Sequence, residues 1–79
     1  MSHTIEAVFK DQKRTINLEV GKKYKIDPMN ITKKKNVGRI CTLIELDSDF
    51  MPSSATVQWQ DSGRKGKIDS LSDLVPYLG

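Results

Sequence analysis

This sequence predicts an all-β domain, and three observations favour that fold class. Apolar residues recur with a period of two along most of the 79 residues. The segments that carry them are rich in the β-branched types that strands prefer. Polar stretches rich in Gly, Pro, Asp and Ser separate these segments, as turns and loops do. We therefore expect short strands joined by turns, with no helix longer than about one turn.

The first two predicted strands form a hairpin in residues 4–20. Apolar side chains alternate along both arms, at Ile5, Ala7 and Phe9 and then at Ile16, Leu18 and Val20. The polar stretch 11–14 lies between the arms and is expected to form the turn. This alternation places the apolar residues on one face. We expect the hairpin either to add strands to the edge of a barrel or to stand as a separate binding feature.

Two further strands are expected in the middle of the chain. Residues 22–26 resume the alternation after Gly21, and Asp27-Pro28 ends the strand because proline has no N–H for a ladder. A polar loop follows in residues 29–36. Residues 37–46 form the longest β-like run, with apolar residues on both faces. This pattern predicts a central strand that bends sharply.

The last third of the chain predicts a loop, a hairpin and a helical turn. Residues 47–54 have the composition of a loop, and residues 55–60 alternate most cleanly. Residues 61–64 form a tight turn in which Gly63 can adopt a positive φ, and residues 65–69 return as a strand. Ser70 is expected to cap a single helical turn before the chain ends in Val75-Pro76-Tyr77.

These elements share one predicted core. Its members are the strand residues that point to the same side and the apolar residues of the last turn: Ile16, Leu18, Tyr24, Ile26, Ile40, Ile44, Val57, Trp59, Ile68, Leu71 and Leu74. Trp59 shares its strand face with Ala55 and Val57, so we expect it in the core. The alternative is an aromatic cage that holds a cation, but such a cage needs several converging aromatic rings, and those of this chain are scattered.

The order of these segments resembles a known superfamily. The resemblance rests on Gly21-Lys22-Lys23-Tyr24, Gly38-Arg39-Ile40, the segment 57–61 with the Gly63-Arg64 turn, and Ser72 to Pro76. Together they are similar to the SH3-like barrels, in particular the Tudor and KOW-like branches. The resemblance covers about residues 20–79. It implies a partly open barrel of about five strands in residues 21–79, with the hairpin 4–20 as an addition to a single domain 1–79.

Composition limits the chemistry of the chain. The only histidine is His3, at an end where side chains are rarely held in place, and Cys41 lies in the most apolar strand. We find no spacing of Cys, His or carboxylates typical of a metal site, and no glycine-rich phosphate loop. We therefore expect no enzyme and no cofactor. A single cysteine, with no apolar stretch suited to a signal peptide or a membrane span, predicts a cytoplasmic protein.

The charge distribution suggests an anionic partner. Residues 1–46 hold ten basic and five acidic side chains, whereas residues 47–79 hold three and five. The candidate residues for binding RNA or DNA are the clustered basic ones: Lys22, Lys23, Lys33, Lys34, Lys35, Arg39, Arg64 and Lys65. Lys67 would extend this surface if the last hairpin folds onto the same side. The alternative is a lysine-rich surface that only keeps the protein in solution.

The favoured function at this point is a protein- or peptide-binding module, with nucleic-acid binding of the KOW-like kind as the alternative. A peptide would lie on an open strand edge or between loops 29–36 and 47–54. Its candidate contacts are the aromatic and apolar residues Phe50, Met51, Tyr24 and Tyr77. The nucleic-acid alternative requires the basic clusters to lie on one face, and no aromatic residue stands among the lysines to stack on bases.

Overall fold

The computed structural model describes residues 2–78, and they fold into two antiparallel sheets. The strands are β1 (Ser2–Phe9), β2 (Gln12–Glu19), β3 (Lys23–Ile26), β4 (Ile40–Leu46), β5 (Ala55–Trp59), β6 (Lys65–Ile68) and β7 (Leu74–Pro76). A short 3₁₀ turn, Leu71–Asp73, precedes β7. The all-β prediction with an additional N-terminal hairpin is therefore confirmed. No helix in the described residues is long and apolar enough to cross a membrane.

The first sheet is the hairpin β1–β2. Its register pairs Phe9 with Gln12, so the turn consists of Lys10 and Asp11 alone. The turn was predicted at residues 11–14, but Gln12 to Arg14 already belong to β2. Lys10 adopts a positive φ of 56°. Tight hairpin turns need this backbone conformation, which residues other than glycine and asparagine rarely adopt. This turn lacks the usual glycine. The polar residues that follow it were therefore the stronger turn signal in the sequence, and they led to the wrong position.

The second sheet has the strand order β6-β5-β4-β3-β7, and all its pairs are antiparallel. Its first strand, β3, lies between β4 and the last strand, β7, so the end of the chain returns to the beginning of the sheet. Strands β6 and β7 are the two edges, and no ladder joins them within residues 2–78. The sheet is thus not a closed barrel.

The core contains most of the predicted residues and several more. Ile16 and Leu18 of the hairpin lie in the same buried cluster as residues of the five-stranded sheet, so both sheets share one core. Met29, Leu43 and Ala55 are also buried, although they were not among the predicted core residues. Cys41 is fully buried, as expected of a small apolar side chain in this strand.

Two of the predicted core residues, Ile40 and Ile44, are only half-buried. The pleat of β4 points Cys41 and Leu43 inward, and neighbouring positions must therefore point the other way. A bulge between Leu43 and Glu45 then shifts the register, and Leu46 packs against the core. The predicted bend of β4 is thus a bulge. The prediction that Ile40 and Ile44 point into the core was wrong, because Cys41 and Leu43 occupy the inward positions.

Two local predictions also need correction. Val20 lies beyond the end of β2 and is 45% exposed, so it does not continue the apolar face of the hairpin. The side chain of Ser70 makes no capping hydrogen bond. Instead, the backbone N–H of Asp73 donates to the carbonyl of Ser70 at 3.1 Å, which is enough for a single 3₁₀ turn.

Polar contacts fasten the hairpin to the second sheet. The hydroxyl of Tyr24 accepts a hydrogen bond from the N–H of Glu19 at 2.7 Å and donates to the carbonyl of Asn17 at 3.0 Å. At the other end of β2, Nη1 of Arg14 donates to the carbonyls of Asp27 and Ser72. These contacts hold β2 over the sheet at both ends.

Candidate anion-binding cleft and neighbouring surfaces

Four lysines surround one cleft of about 270 Å³. Lys33, Lys34 and Lys35 come from the loop before β4, and Lys67 comes from the edge strand β6. The remaining lining residues are two buried isoleucines and several polar side chains: Ile26, Ile68, Asn36, Asp69, Ser70 and Asp73. We call this site the lysine cleft. It combines an apolar floor with ammonium groups at its rim.

The local structure of the loop brings its lysines to the cleft. Asn30 begins a turn, because its side-chain oxygen accepts from the N–H of Thr32 at 3.0 Å and its carbonyl accepts from the N–H of Lys33. At the other end, Asn36 adopts a φ of 62° and Gly38 a φ of 87°. Gly38 then donates to the carbonyl of Ile26 at the end of β3. The triple lysine is therefore held between two fixed points.

Lys67 reaches the same cleft because side chains alternate along β6. Gly66 and Ile68 point toward the interior, so Lys65 and Lys67 lie on the exposed face of the edge strand. The period-two pattern allowed this orientation to be predicted. It did not show that β6 and the loop 33–36 lie side by side, since 28 residues lie between them in the sequence.

The electrostatics of the lysine cleft are dominated by cations, with one internal ion pair. Nζ of Lys33 lies 3.0 Å from a carboxylate oxygen of Asp73, whose side chain is only 16% exposed. Lys34, Lys35 and Lys67 enter no ion pair with any residue from 2 to 78. Asp69 and Asp73 balance part of the charge, and the rim remains positive. Such a site favours anions such as phosphate groups.

Arg39 lies next to the lysine cleft and is held by three partners. Its Nε and Nη2 donate to the two carboxylate oxygens of Asp61 at 3.0 and 2.8 Å, and its Nη1 donates to the side-chain oxygen of Asn36 at 2.8 Å. Its guanidinium carbon lies 4.0 Å from the ring centroid of Trp59. Because Asn36 also lines the lysine cleft, the two sites adjoin. The guanidinium holds the pKa of Asp61 below its usual range.

The other predicted basic residues do not join the lysine cleft. Lys22 and Lys23 line a separate cleft with Tyr24, Pro76 and Tyr77. That cleft lies at the beginning of β3, whereas the lysine cleft lies at its end near Ile26. Arg64 and Lys65 are exposed in and after the β5–β6 turn. The structure thus brings the central lysines together with Lys67 but leaves Lys22 and Lys23 in another cleft, so the single basic face that the nucleic-acid alternative requires is only partly formed.

The candidate peptide contacts fall into two groups. Phe50 and Met51 are 85% and 75% exposed at the tip of loop 47–54. Asp47 holds that loop, since its carboxylate accepts from both the N–H and the hydroxyl of Ser53, and these hydrogen bonds lower the pKa of Asp47. In contrast, Tyr24 is 2% exposed and serves the core.

Loops 29–36 and 47–54 leave opposite ends of β4. The seven residues of this strand separate them by about 20 Å at roughly 3.3 Å per residue. The geometry therefore does not favour a peptide groove between these two loops. Tyr77 remains half-buried beside Lys22 and Lys23, where it can contribute to a smaller surface.

Trp59 and Cys41 belong to the interior. Trp59 is 7% exposed, as expected for a core residue, and its ring is covered by Arg39. Burial raises the pKa of the Cys41 thiol to about 11. Among residues 2–78, no group of three or more His, Cys, Asp or Glu side chains is arranged to hold a metal ion.

Comparison of the chain with family models, with curated proteins and with solved structures gave no significant match.

Proposed function

We propose that this chain is a non-catalytic binding module that binds nucleic acid through the lysine cleft. The observation that supports it is the convergence of Lys33, Lys34 and Lys35 with Lys67, which comes from a distant segment. Ammonium groups on a rim neutralise phosphates and release the counterions that surround a nucleic acid. The partial pairing of Lys33 with Asp73 leaves the other three cations available to the phosphates.

The proposal includes the SH3-like, KOW-like assignment of residues 21–79. It is supported by five antiparallel strands in one sheet whose first strand lies between the second and the last. It is also supported by the single 3₁₀ turn that precedes β7, at the place where the sequence predicts one helical turn. A cytoplasmic location is part of the same proposal, because the chain carries one unpaired cysteine.

A binding titration with a charge-matched control tests the proposal. Fluorescein-labelled single- and double-stranded 20-nucleotide probes are titrated with the protein at 50 and 200 mM salt. We expect Kd to rise steeply with salt for the native chain. The double variant Lys34→Ala/Lys35→Ala should weaken binding and reduce the salt slope on duplex by about 2, because each lost phosphate contact contributes about 0.9.

The control is Lys22→Ala/Lys23→Ala, which removes the same charge from the separate cleft. At 200 mM salt it should leave the Kd within about twofold of the native value, since charges outside the site then act only through a screened field. If both double variants weaken binding equally, the lysine cleft has no special role. If the native chain does not bind at 50 mM salt, the nucleic-acid function is refuted.

A second candidate, binding of a protein or peptide, is favoured by the exposed tip Phe50-Met51. An exposed pair of large apolar side chains on a loop held by Asp47 is typical of a contact point. The variant Phe50→Ser/Met51→Ser should keep its stability within about 0.5 kcal/mol, because neither side chain is buried. Pull-downs with the native chain and with this variant then test the function. If the native chain and the variant capture a partner equally, Phe50 and Met51 do not bind that partner.

A further inference from the structure

We propose that Arg39 is a stacking platform for one unpaired base, so that the preferred ligand is single-stranded nucleic acid. This inference rests on the proposed nucleic-acid function and deepens it. The sequence contains no aromatic residue among the lysines, and such a residue is what single-strand binders usually supply. A guanidinium plane can take this role, because bases also stack on arginine.

The guanidinium of Arg39 is already fixed. The N–H groups at its edge donate to Asp61 and Asn36, so these hydrogen bonds leave both faces of the guanidinium plane free of polar partners. One face lies on the ring of Trp59, at 4.0 Å from its centroid. A side chain held this way loses little conformational freedom when a ligand stacks on it.

The other face of the guanidinium borders an open cleft. The side chain of Arg39 is 31% exposed even though its edges and one face are occupied. It lines an open cleft of about 450 Å³ together with Val37, Gly38, Ile40, Gln60 and Asp61. Gly38 contributes no side chain that would cover the plane. A base can therefore lie on the outer face and form a stack of Trp59, Arg39 and base.

The lysine cleft adjoins Arg39 and provides a place for the phosphates. Asn36 accepts the hydrogen bond from Arg39 and also lines the lysine cleft, so the two sites share a wall. Asp61 already neutralises Arg39 and repels phosphate from this side. A strand therefore places its phosphates along Lys34, Lys35 and Lys67 and turns a base toward Arg39. Bases of a duplex are paired and stacked, and they cannot make this contact.

The test compares two 12-nucleotide DNA probes that carry the same phosphates: a thymidine oligonucleotide and an abasic one. We expect the native chain to bind the thymidine probe about 5- to 150-fold more tightly, the effect of one stacked base. Arg39→Lys keeps the charge but removes the plane. It should bring the affinity for the thymidine probe close to that for the abasic probe.

Trp59 supplies a measurement that needs no variant, because it is the only tryptophan of the chain. A base stacked on Arg39 should change its fluorescence, whereas phosphates bound at the lysines alone should not. Circular dichroism shows whether Arg39→Lys folds. If this variant does not fold, the affinities of the native chain for the thymidine and abasic probes decide whether a base stacks on Arg39.

The outcomes separate the two proposals. If both probes bind the native chain equally, and neither changes the fluorescence of Trp59, phosphate binding stands and the stacking platform is refuted. If neither probe binds at low salt, the nucleic-acid function and the platform fail together. Tighter binding of a duplex than of the thymidine probe would refute the preference for single strands, since a duplex offers no free base.

Discussion

The indole of Trp59 lies so close to the backbone of Gly66 that a Cβ atom at position 66 would stand 2.5 Å from Nε1 and 3.2 Å from Cε2. The two residues belong to the paired strands β5 and β6. Glycine is required here because the large ring fills the space that any other side chain would occupy. The contact explains how Trp59 becomes buried beside an edge strand.

Gly66→Ala should therefore destabilise the protein by about 1–3 kcal/mol, the usual cost of overpacking. Urea denaturation measures the change. The exposed neighbour Lys65→Ala is the control and should stay within about 0.5 kcal/mol. In a Trp59→Phe background the alanine should cost less, because a smaller ring leaves room. An equal cost in both backgrounds would mean that the strain comes from elsewhere.

Tyr24→Phe tests the attachment of the hairpin. The variant removes the hydroxyl that bonds to the N–H of Glu19 and the carbonyl of Asn17. We expect a loss of about 1–3 kcal/mol, since two backbone groups lose their partner at a partly buried site. Hydrogen exchange should show faster exchange at the Glu19 amide. Tyr77→Phe, at a half-buried position, is the matched control. Unchanged exchange at Glu19 would contradict the proposed role.

The thiol of Cys41 provides a test by pH. Burial raises its folded-state pKa to about 11, above the value of about 8.5 in an unfolded chain. Below the unfolded value both states keep the proton, so this thiol leaves stability independent of pH there. Between about 8.5 and 11 the unfolded state loses its proton first, and the free energy of unfolding must fall as pH rises.

Replacement by alanine removes this dependence, so the native chain and Cys41→Ala should differ in the slope of stability against pH above about 8.5. Burial also raises the pKa of Tyr24, and the variant retains that contribution. A thiol reagent at pH 8 should label the native chain slowly and the denatured chain at once. Rapid labelling of the native chain would show that Cys41 is accessible.

Lys10→Gly should stabilise the hairpin. Lys10 adopts a φ of 56°, which costs an L-residue about 1–2 kcal/mol, whereas glycine adopts it freely. After the entropy that glycine loses on folding, a gain of roughly 0.5–1 kcal/mol remains. Thermal denaturation measures it. Asp11→Gly is the control and should lower stability, since φ at position 11 is not positive. If both variants are less stable than the native chain, the positive φ of Lys10 does not strain the turn.

The sequence alone determined the strands, because period-two alternation and turn residues act locally. It predicted the hairpin, a strand over residues 55–60 that ends at Trp59 in the structure, and the burial of Trp59 and Cys41. It misplaced the first turn, where the positive φ falls on a lysine, and the inward face of β4, where a bulge changes the alternation. Both errors arise where the backbone departs from a regular strand.

Only the tertiary structure decided which charged residues meet. The sequence marked the lysines as candidates, but the register of the sheet and the return of β6 beside the loop bring Lys67 to Lys34 and Lys35 and keep Lys22 apart. It also placed Arg39 on Trp59, across 20 residues of sequence. Local patterns specify strands and faces, whereas the neighbours of a side chain depend on how non-local strands pair and coil around one shared core.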